Sequence, residues 1–164
     1  MAVADETGVR SVVDIEIDAP RELVAELYSD ASNNPKWMDD LERNEPISGV
    51  PGEPGSSYRM VSRDSDMHFV VTVVSVQLPE NVRLHLEWKR STVDINVDFI
   101  QLDTNLTRFV STEDFRFSGF LPRLGGLLAR SAIRAAHRRH MEGFKRFAER
   151  QSHAAVASPA TNPR

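Results

Sequence analysis

The chain has 164 residues, enough for one domain with a substantial core, and carries 20 Lys and Arg against 24 Asp and Glu, a net charge of −4. That balance argues against the broad basic footprint of a nucleic-acid binder, and the lack of cysteine excludes disulfides, thiolate metal ligands and cysteine nucleophiles. No apolar run approaches the roughly 20 residues of a membrane span, and the N-terminus MAVADETG lacks the basic and apolar parts of a secretion signal, so a cytoplasmic protein is expected.

Residues 1–9 show no periodic pattern and are expected to be disordered, as is the tail 152–164, leaving a single domain over 10–151. From Arg10 to Asp18, Val13, Ile15 and Ile17 alternate with Asp14 and Glu16, the period-two pattern of a half-buried strand. Pro20 opens a helix with Leu23, Val24, Leu27 and Tyr28 at helical spacing and an end near Asp30. A second short helix is predicted over Asn34–Leu41, with Pro35 in its first turn. From Glu42 the chain reads as strands. The Gly- and Pro-dense Ser48–Ser56 is a loop, followed by strands over Ser57–Arg63, Met67–Leu78, Val82–Lys89, Val93–Leu102 and Leu106–Phe117. Their short connections imply an antiparallel sheet.

A long amphipathic helix closes the order, over Phe120–Gln151. Its apolar stripe is read as Leu124, Leu128, Ala132, Ala136, His140, Phe144 and Phe147, and its opposite face is basic through Arg130, Arg134, Arg138 and Lys145. Between Phe120 and Arg150 eight Lys and Arg face two Glu, so a basic helix follows an acidic body. Such a helix buries its stripe by lying across the concave face of the sheet, with a cavity or a core between them.

The opening IEIDAPRELVAELYSD, the PKW of Pro35–Trp37, the turn and strand GEPGSSYR, the break LPENVRL and the ending EDFRFSGF stand in an order that resembles the START-like superfamily of polyketide cyclase/dehydrase and lipid-transport proteins, over roughly Arg10 to Gln151. The resemblance implies an α+β helix-grip fold: a curved antiparallel sheet of about seven strands wrapped around a long C-terminal helix, with two short helices after the first strand. It does not fix a function, because that fold hosts cyclases, dehydratases, lipid carriers, hormone receptors and oxygenase domains alike.

Strand alternation selects the candidate residues. On the last strand Phe109, Ser111, Glu113, Phe115 and Phe117 share a face, and the aromatic face is expected to be inward. Glu113 would then lie among Phe side chains, where desolvation raises a carboxyl pKa and suits it to general acid or base work; the alternative is a Glu113 paired with Arg139 or His140. Glu113, with Ser111 and with His140 on the helix stripe, is the candidate proton-transfer set, and His137 sits at the border of that stripe. His68 and Thr72 on the Val-rich strand are candidate polar anchors, although Phe69, Val71 and Val73 leave the inner face of that strand open to either reading. Trp88, with Leu84 and Leu86, and Phe109, Phe115 and Ala136 supply wall. Trp37, Met38 and Tyr58 resemble positions that border the pocket mouth in the superfamily, and read equally as core beneath the helix pair.

The expected function is binding of a small polyketide-, isoprenoid- or lipid-like molecule between sheet and helix. The alternative is a cofactor-independent polyketide cyclase, aromatase or dehydratase acting through Glu113, His140 and Ser111. A second alternative is an interaction module whose basic helix face docks on an acidic carrier protein or an anionic lipid surface. No cofactor is implied, and His137 with His140 lacks a third metal ligand. No aromatic residues interleave the arginines to stack on bases, and a monomer or a homodimer is equally compatible.

Overall fold

The computed structural model describes residues 7–89, 91–117 and 126–157. Strand β1 (Thr7–Ile17) leads into helix α1 (Arg21–Ser29) and a short 3₁₀ turn (Ala31–Lys36). Strands β2 (Leu41–Ser48), β3 (Ser57–Ser62), β4 (His68–Gln77), β5 (Asn81–Trp88), β6 (Ser91–Asp103) and β7 (Leu106–Phe117) follow, and then helix α2 (Gly126–Ala157). The seven strands form one antiparallel sheet in the order β1-β7-β6-β5-β4-β3-β2, so that the last strand lies beside the first. The long helix lies along β1 and across the inner face of the sheet, so the expected helix grip is present.

Several boundaries move. β1 starts at Thr7 rather than Arg10, and α2 runs on to Ala157, past the expected end at Gln151, with Ser152 buried. Phe120, Leu124 and the Leu128 side chain lie outside the described residues. The predicted helix over Asn34–Leu41 is instead the 3₁₀ turn that ends at Lys36. Asp30 starts it early by accepting the Ser32 backbone N–H at 2.9 Å, and Leu41 already belongs to β2.

The stripe that α2 turns to the sheet is also displaced. Ile133, His137, Met141, Phe144, Ala148 and Ser152 face inward, at steps of three and four, whereas Ala132 is exposed and His140 only half-buried. Gly143 fixes this rotation: a Cβ there would collide with the backbone carbonyl oxygen of Trp37, so the helix packs against that segment through a residue without a side chain.

Beneath the C-terminal half of α2 the interior is solid. Phe109 and Phe144 are fully buried with centroids 5.3 Å apart, and Tyr28 meets them edge-on at 5.4 and 5.2 Å. Trp37, Phe99 and Phe147 complete an aromatic cluster. The buried Thr107 hydroxyl donates to the Ala19 carbonyl at 2.8 Å, pinning the start of β7 to the turn after β1. A smaller cluster of Leu41, Met60 and Val71 sits under β2–β4, and Met38 and Leu84 pack against both clusters.

Candidate functional site

The register of the sheet sets the inner face. Ser11 of β1 lies opposite Glu113 of β7, which lies opposite Ile95 of β6, and Ile95 lies opposite Leu84 of β5. The next inner row runs Val13, Ser111, Val97 and Val82. One face of β7 therefore carries Phe109, Ser111, Glu113 and Phe115 toward the helix, as the alternation predicted.

His137 of α2 descends onto this face with no side-chain exposure. Its Nδ1 lies 2.8 Å from the Ser11 hydroxyl and its Nε2 lies 2.9 Å from the Ser111 hydroxyl. In either tautomer of the neutral ring, one nitrogen donates to a serine and the other accepts from a serine, so all three groups are satisfied without a charge. Burial, followed by the charges of His140 and Arg138, lowers the His137 pKa to about 4. A neutral imidazole clamped between two strands results.

Glu113 stands beside it. Its Oε1 is 3.6 Å from His137 Nε2, outside hydrogen-bond range, and its side chain is 15% exposed. Burial pushes the Glu113 carboxyl up to about 7. Because the neighbouring imidazole is neutral, nothing offsets that desolvation, and the carboxyl exchanges its proton close to neutral pH. Tyr28 is raised from its ordinary value by burial first and by the Glu113 charge second. On β3, burial pushes the Tyr58 phenol up to about 12, against a hydrogen bond with Asn34.

Around Glu113 the packing changes. Toward β1 and the C-terminal half of α2 lies the solid aromatic core. Toward Trp88, the inward-facing Phe69, Leu86, Trp88, Phe115 and Ile133 are only half-buried. Phe69 and Trp88 have centroids 5.9 Å apart, Phe115 and Phe117 stack at 6.2 Å, and the Lys89 ammonium lies 5.0 Å from the Trp88 ring centre. Among the described residues, the concave face is thus tightly packed at one end and only half-buried at the other, with Glu113 at the boundary.

Some expected residues converge here and others do not. Glu113 and Ser111 meet, but Ser111 is fully buried behind His137 and cannot reach a bound molecule as a nucleophile. His140 points elsewhere: its Nε2 contacts the Asp40 carboxylate at 3.0 Å, and Arg139 reaches the same carboxylate at 3.4 Å. Neither pairs with Glu113. His137 takes the place assigned to His140, because the stripe through Met141 and Ala148 selects it. His68 and Thr72 are on the outer face. β4 turns Phe69, Val71 and Val73 inward and then shifts register between Val73 and Ser75, which brings Val76 inward beyond the bulge. His68 is exposed, with Nδ1 3.4 Å from the Asp66 carbonyl, and Thr72 stands opposite His85 in an outer row that continues to Asp94, Asp114 and Arg10.

Trp37 and Phe109 belong to the aromatic core rather than to a pocket wall. Met38, Trp88, Phe115 and Ala136 are half-buried on the inner side, and Tyr58 lines a cleft between α1 and β3. Sequence reasoning missed Ser11, whose inward position followed from the alternation of Val9, Ser11 and Val13 once Asp14 and Glu16 were placed outside. It also missed Tyr28, the inner-wall phenol whose ionisation the Glu113 charge opposes. Arg130, Arg134 and Arg138 are exposed, but Arg130 and Arg134 precede His137 by seven and three residues, so these basic residues continue and flank the inward stripe rather than forming the face opposite to it.

Among the described residues no helix is long and apolar enough to cross a membrane, and no group of three or more His, Asp or Glu is arranged to hold a metal ion. No curated protein sequence matches the chain. Among solved structures, a protein of unknown function from Staphylococcus aureus is 13% identical with a TM-score of 0.72, covering 95% of this chain and all of its own. A protein from Thermus thermophilus is 17% identical with a TM-score of 0.69, covering 91% of this chain and 99% of its own. Norcoclaurine synthase of Thalictrum flavum, solved as a point mutant with a transition-state analogue, is 9% identical with a TM-score of 0.67, covering 91% of this chain and 99% of its own. These likenesses establish the helix-grip fold. Residues 8–149 match the family described as polyketide cyclase/dehydrase and lipid transport, so the chain belongs to that family.

Proposed function

We propose that the protein binds a small apolar molecule of the polyketide, isoprenoid or lipid kind on the open half of its concave face, with Glu113 as the polar anchor. The observation that carries this reading is the position of Glu113. It is a carboxyl without a hydrogen-bonded partner among the described residues, at the edge of a packed core, facing a wall of inward but half-exposed Phe69, Leu86, Trp88 and Phe115. Pockets for small ligands combine that kind of apolar wall with few orienting polar groups. Family membership and the fold support the same reading.

Titration with Nile red, an uncharged apolar fluorophore, tests it. Wild type should give saturable fluorescence enhancement that Trp88→Ala weakens, and mass spectrometry under native conditions should detect any apolar compound carried through purification. Enhancement that never saturates, or that Trp88→Ala leaves unchanged, would refute the site.

A second reading rests on the Glu113 carboxyl titrating at about 7. Such a group delivers and removes protons at neutral pH, which is what cofactor-independent cyclisation or dehydration of a polyketide chain requires. Neutral His137 and the two serines hold its surroundings uncharged, so the proton moves between Glu113 and the bound molecule. Under this reading Glu113→Gln retains ligand affinity and stops product formation from a supplied substrate. Unchanged turnover would rule out the mechanism.

A further inference from the structure

A cavity opens between the junction of α1 with the 3₁₀ turn and the β2–β3 loop. It encloses ≈ 460 Å³, in the range of small-molecule sites. Its wall is mostly apolar in area but carries the neutral polar side chains of Ser32, Ser48, Ser57, Asn44 and Tyr58, and Asp30 is the only charged side chain among the described lining residues. Asp30 is held in place because one of its oxygens accepts the Ser32 N–H. The Ser48 and Ser57 hydroxyls face each other at 2.8 Å across the strand pair.

This cleft continues inward. Ser29, Ala31, Gly52 and Tyr58 also line a narrow throat of ≈ 20 Å³, room for about one water, whose inner walls are Tyr28, Val73, Val76, Val82 and Leu84. Leu84 lies in the same cross-strand row as Ile95 and Glu113, two strands and so about 10 Å from the Glu113 backbone. The chamber thus narrows to an apolar throat that ends on Leu84, in the cross-strand row of Ile95 and Glu113.

We propose that this cleft is the subsite for the polar end of the ligand, and that it takes a neutral hydroxylated or a cationic amine group and rejects carboxylates and phosphates. The inference rests on the apolar-ligand reading above and narrows its chemistry. An anion placed here would meet the Asp30 carboxylate and would find no Lys or Arg in the described wall to pair with. A hydroxyl finds serine, asparagine and tyrosine partners, and an ammonium finds Asp30 as well.

The test is a matched series with one apolar chain and three ends, namely dodecanol, dodecylamine and dodecanoate, each displacing Nile red from wild type, Asp30→Asn and Ser57→Trp. Asparagine keeps the oxygen that caps the 3₁₀ turn and removes only the charge, and circular dichroism checks that tryptophan at the half-buried Ser57 leaves the sheet intact. Dodecanol and dodecylamine should displace the dye from wild type at concentrations about tenfold or more below dodecanoate. Asp30→Asn should erase the advantage of the amine over the alcohol, and Ser57→Trp, which fills the chamber, should weaken both. Dodecanoate competing as well as dodecanol, or Ser57→Trp leaving the folded protein's affinities unchanged, overturns the subsite while the apolar-ligand reading stands. Failure of all three to displace the dye from wild type overturns both.

Discussion

The two halves of the concave face are built from the same materials and packed differently. Under the C-terminal half of α2, Phe109, Phe144, Phe147 and Tyr28 interlock with almost no exposure, and the glycine at 143 lets the helix sit directly on the Trp37 segment. Toward the β5–β6 turn, Phe69, Leu86, Trp88 and Phe115 point the same way from the same sheet and remain half-exposed. The difference teaches that one surface packs its apolar side chains tightly at one end and leaves them half-exposed at the other, the end to which the proposed ligand is assigned. Large apolar side chains at the filled end maximise burial, whereas at the open end they form a wall that a ligand can cover. Glu113 marks the boundary, shielded enough for its pKa to rise and still 15% exposed.

Substitutions separate the two ends. The largest effect is expected for Phe144→Ala, which empties a fully buried site in the filled half and should cost about 3–5 kcal/mol in urea denaturation. A loss below about 1 kcal/mol would mean that this half is as open as the other.

Next comes Glu113→Gln, read as a function of pH. The folded carboxyl titrates at about 7 against an ordinary value of 4.5, so between those values the folded chain holds more protons than the unfolded one, and stability falls as pH rises. Glutamine mimics the protonated acid and removes that loss. The variant should match wild type near pH 4.5 and exceed its stability at about pH 8 by up to about 3 kcal/mol. His137 acts with the opposite sign, because its lowered pKa means that its contribution is lost as pH falls from 6.5 toward 4. A difference between wild type and variant that is the same at both pH values would place Glu113 in water rather than at the boundary.

The smallest effect on folding is expected at the open end. Leu86→Ala should cost about 1 kcal/mol or less while weakening Nile red binding. A cost near that of Phe144→Ala would abolish the contrast between the halves.

The sequence carried the fold well, because each element has its own local signal: alternation in β1 and β7, Pro20 before α1, and a long helical period at the end. The site was half legible. Alternation on β7 turned Glu113 and Ser111 inward correctly, since its outward positions, Arg108, Asp114 and Arg116, are charged. The helix was harder, because Ala132, Ala136 and His140 form a stripe of the same period as Ile133, His137 and Met141, and Phe144 belongs to both. The choice between them is made by Gly143 meeting the Trp37 carbonyl, a contact between segments far apart in the chain. β4 offered apolar residues on both faces, so neither its polarity nor the bulge at Val73–Ser75 could be read from alternation. The cleft beside Asp30 left no sequence pattern, because it is formed by a loop and a helix end that meet only in three dimensions.

The partnership between α2 and β1 has a consequence for solubility. β1 is an outer strand of the sheet, and the helix attends to its backbone: Lys145 donates its ammonium hydrogen to the Glu16 carbonyl, and Glu149 accepts the Asp18 N–H at 3.1 Å. An outer strand with unpaired backbone groups is a template on which other chains assemble. With these side chains in place, this stretch of α2 guards that template, and because Phe144, Phe147 and Ala148 of the core lie on the same turns, the edge is uncovered only when this part of the core comes apart. Aggregation on heating would then set in together with melting of the aromatic core rather than ahead of it.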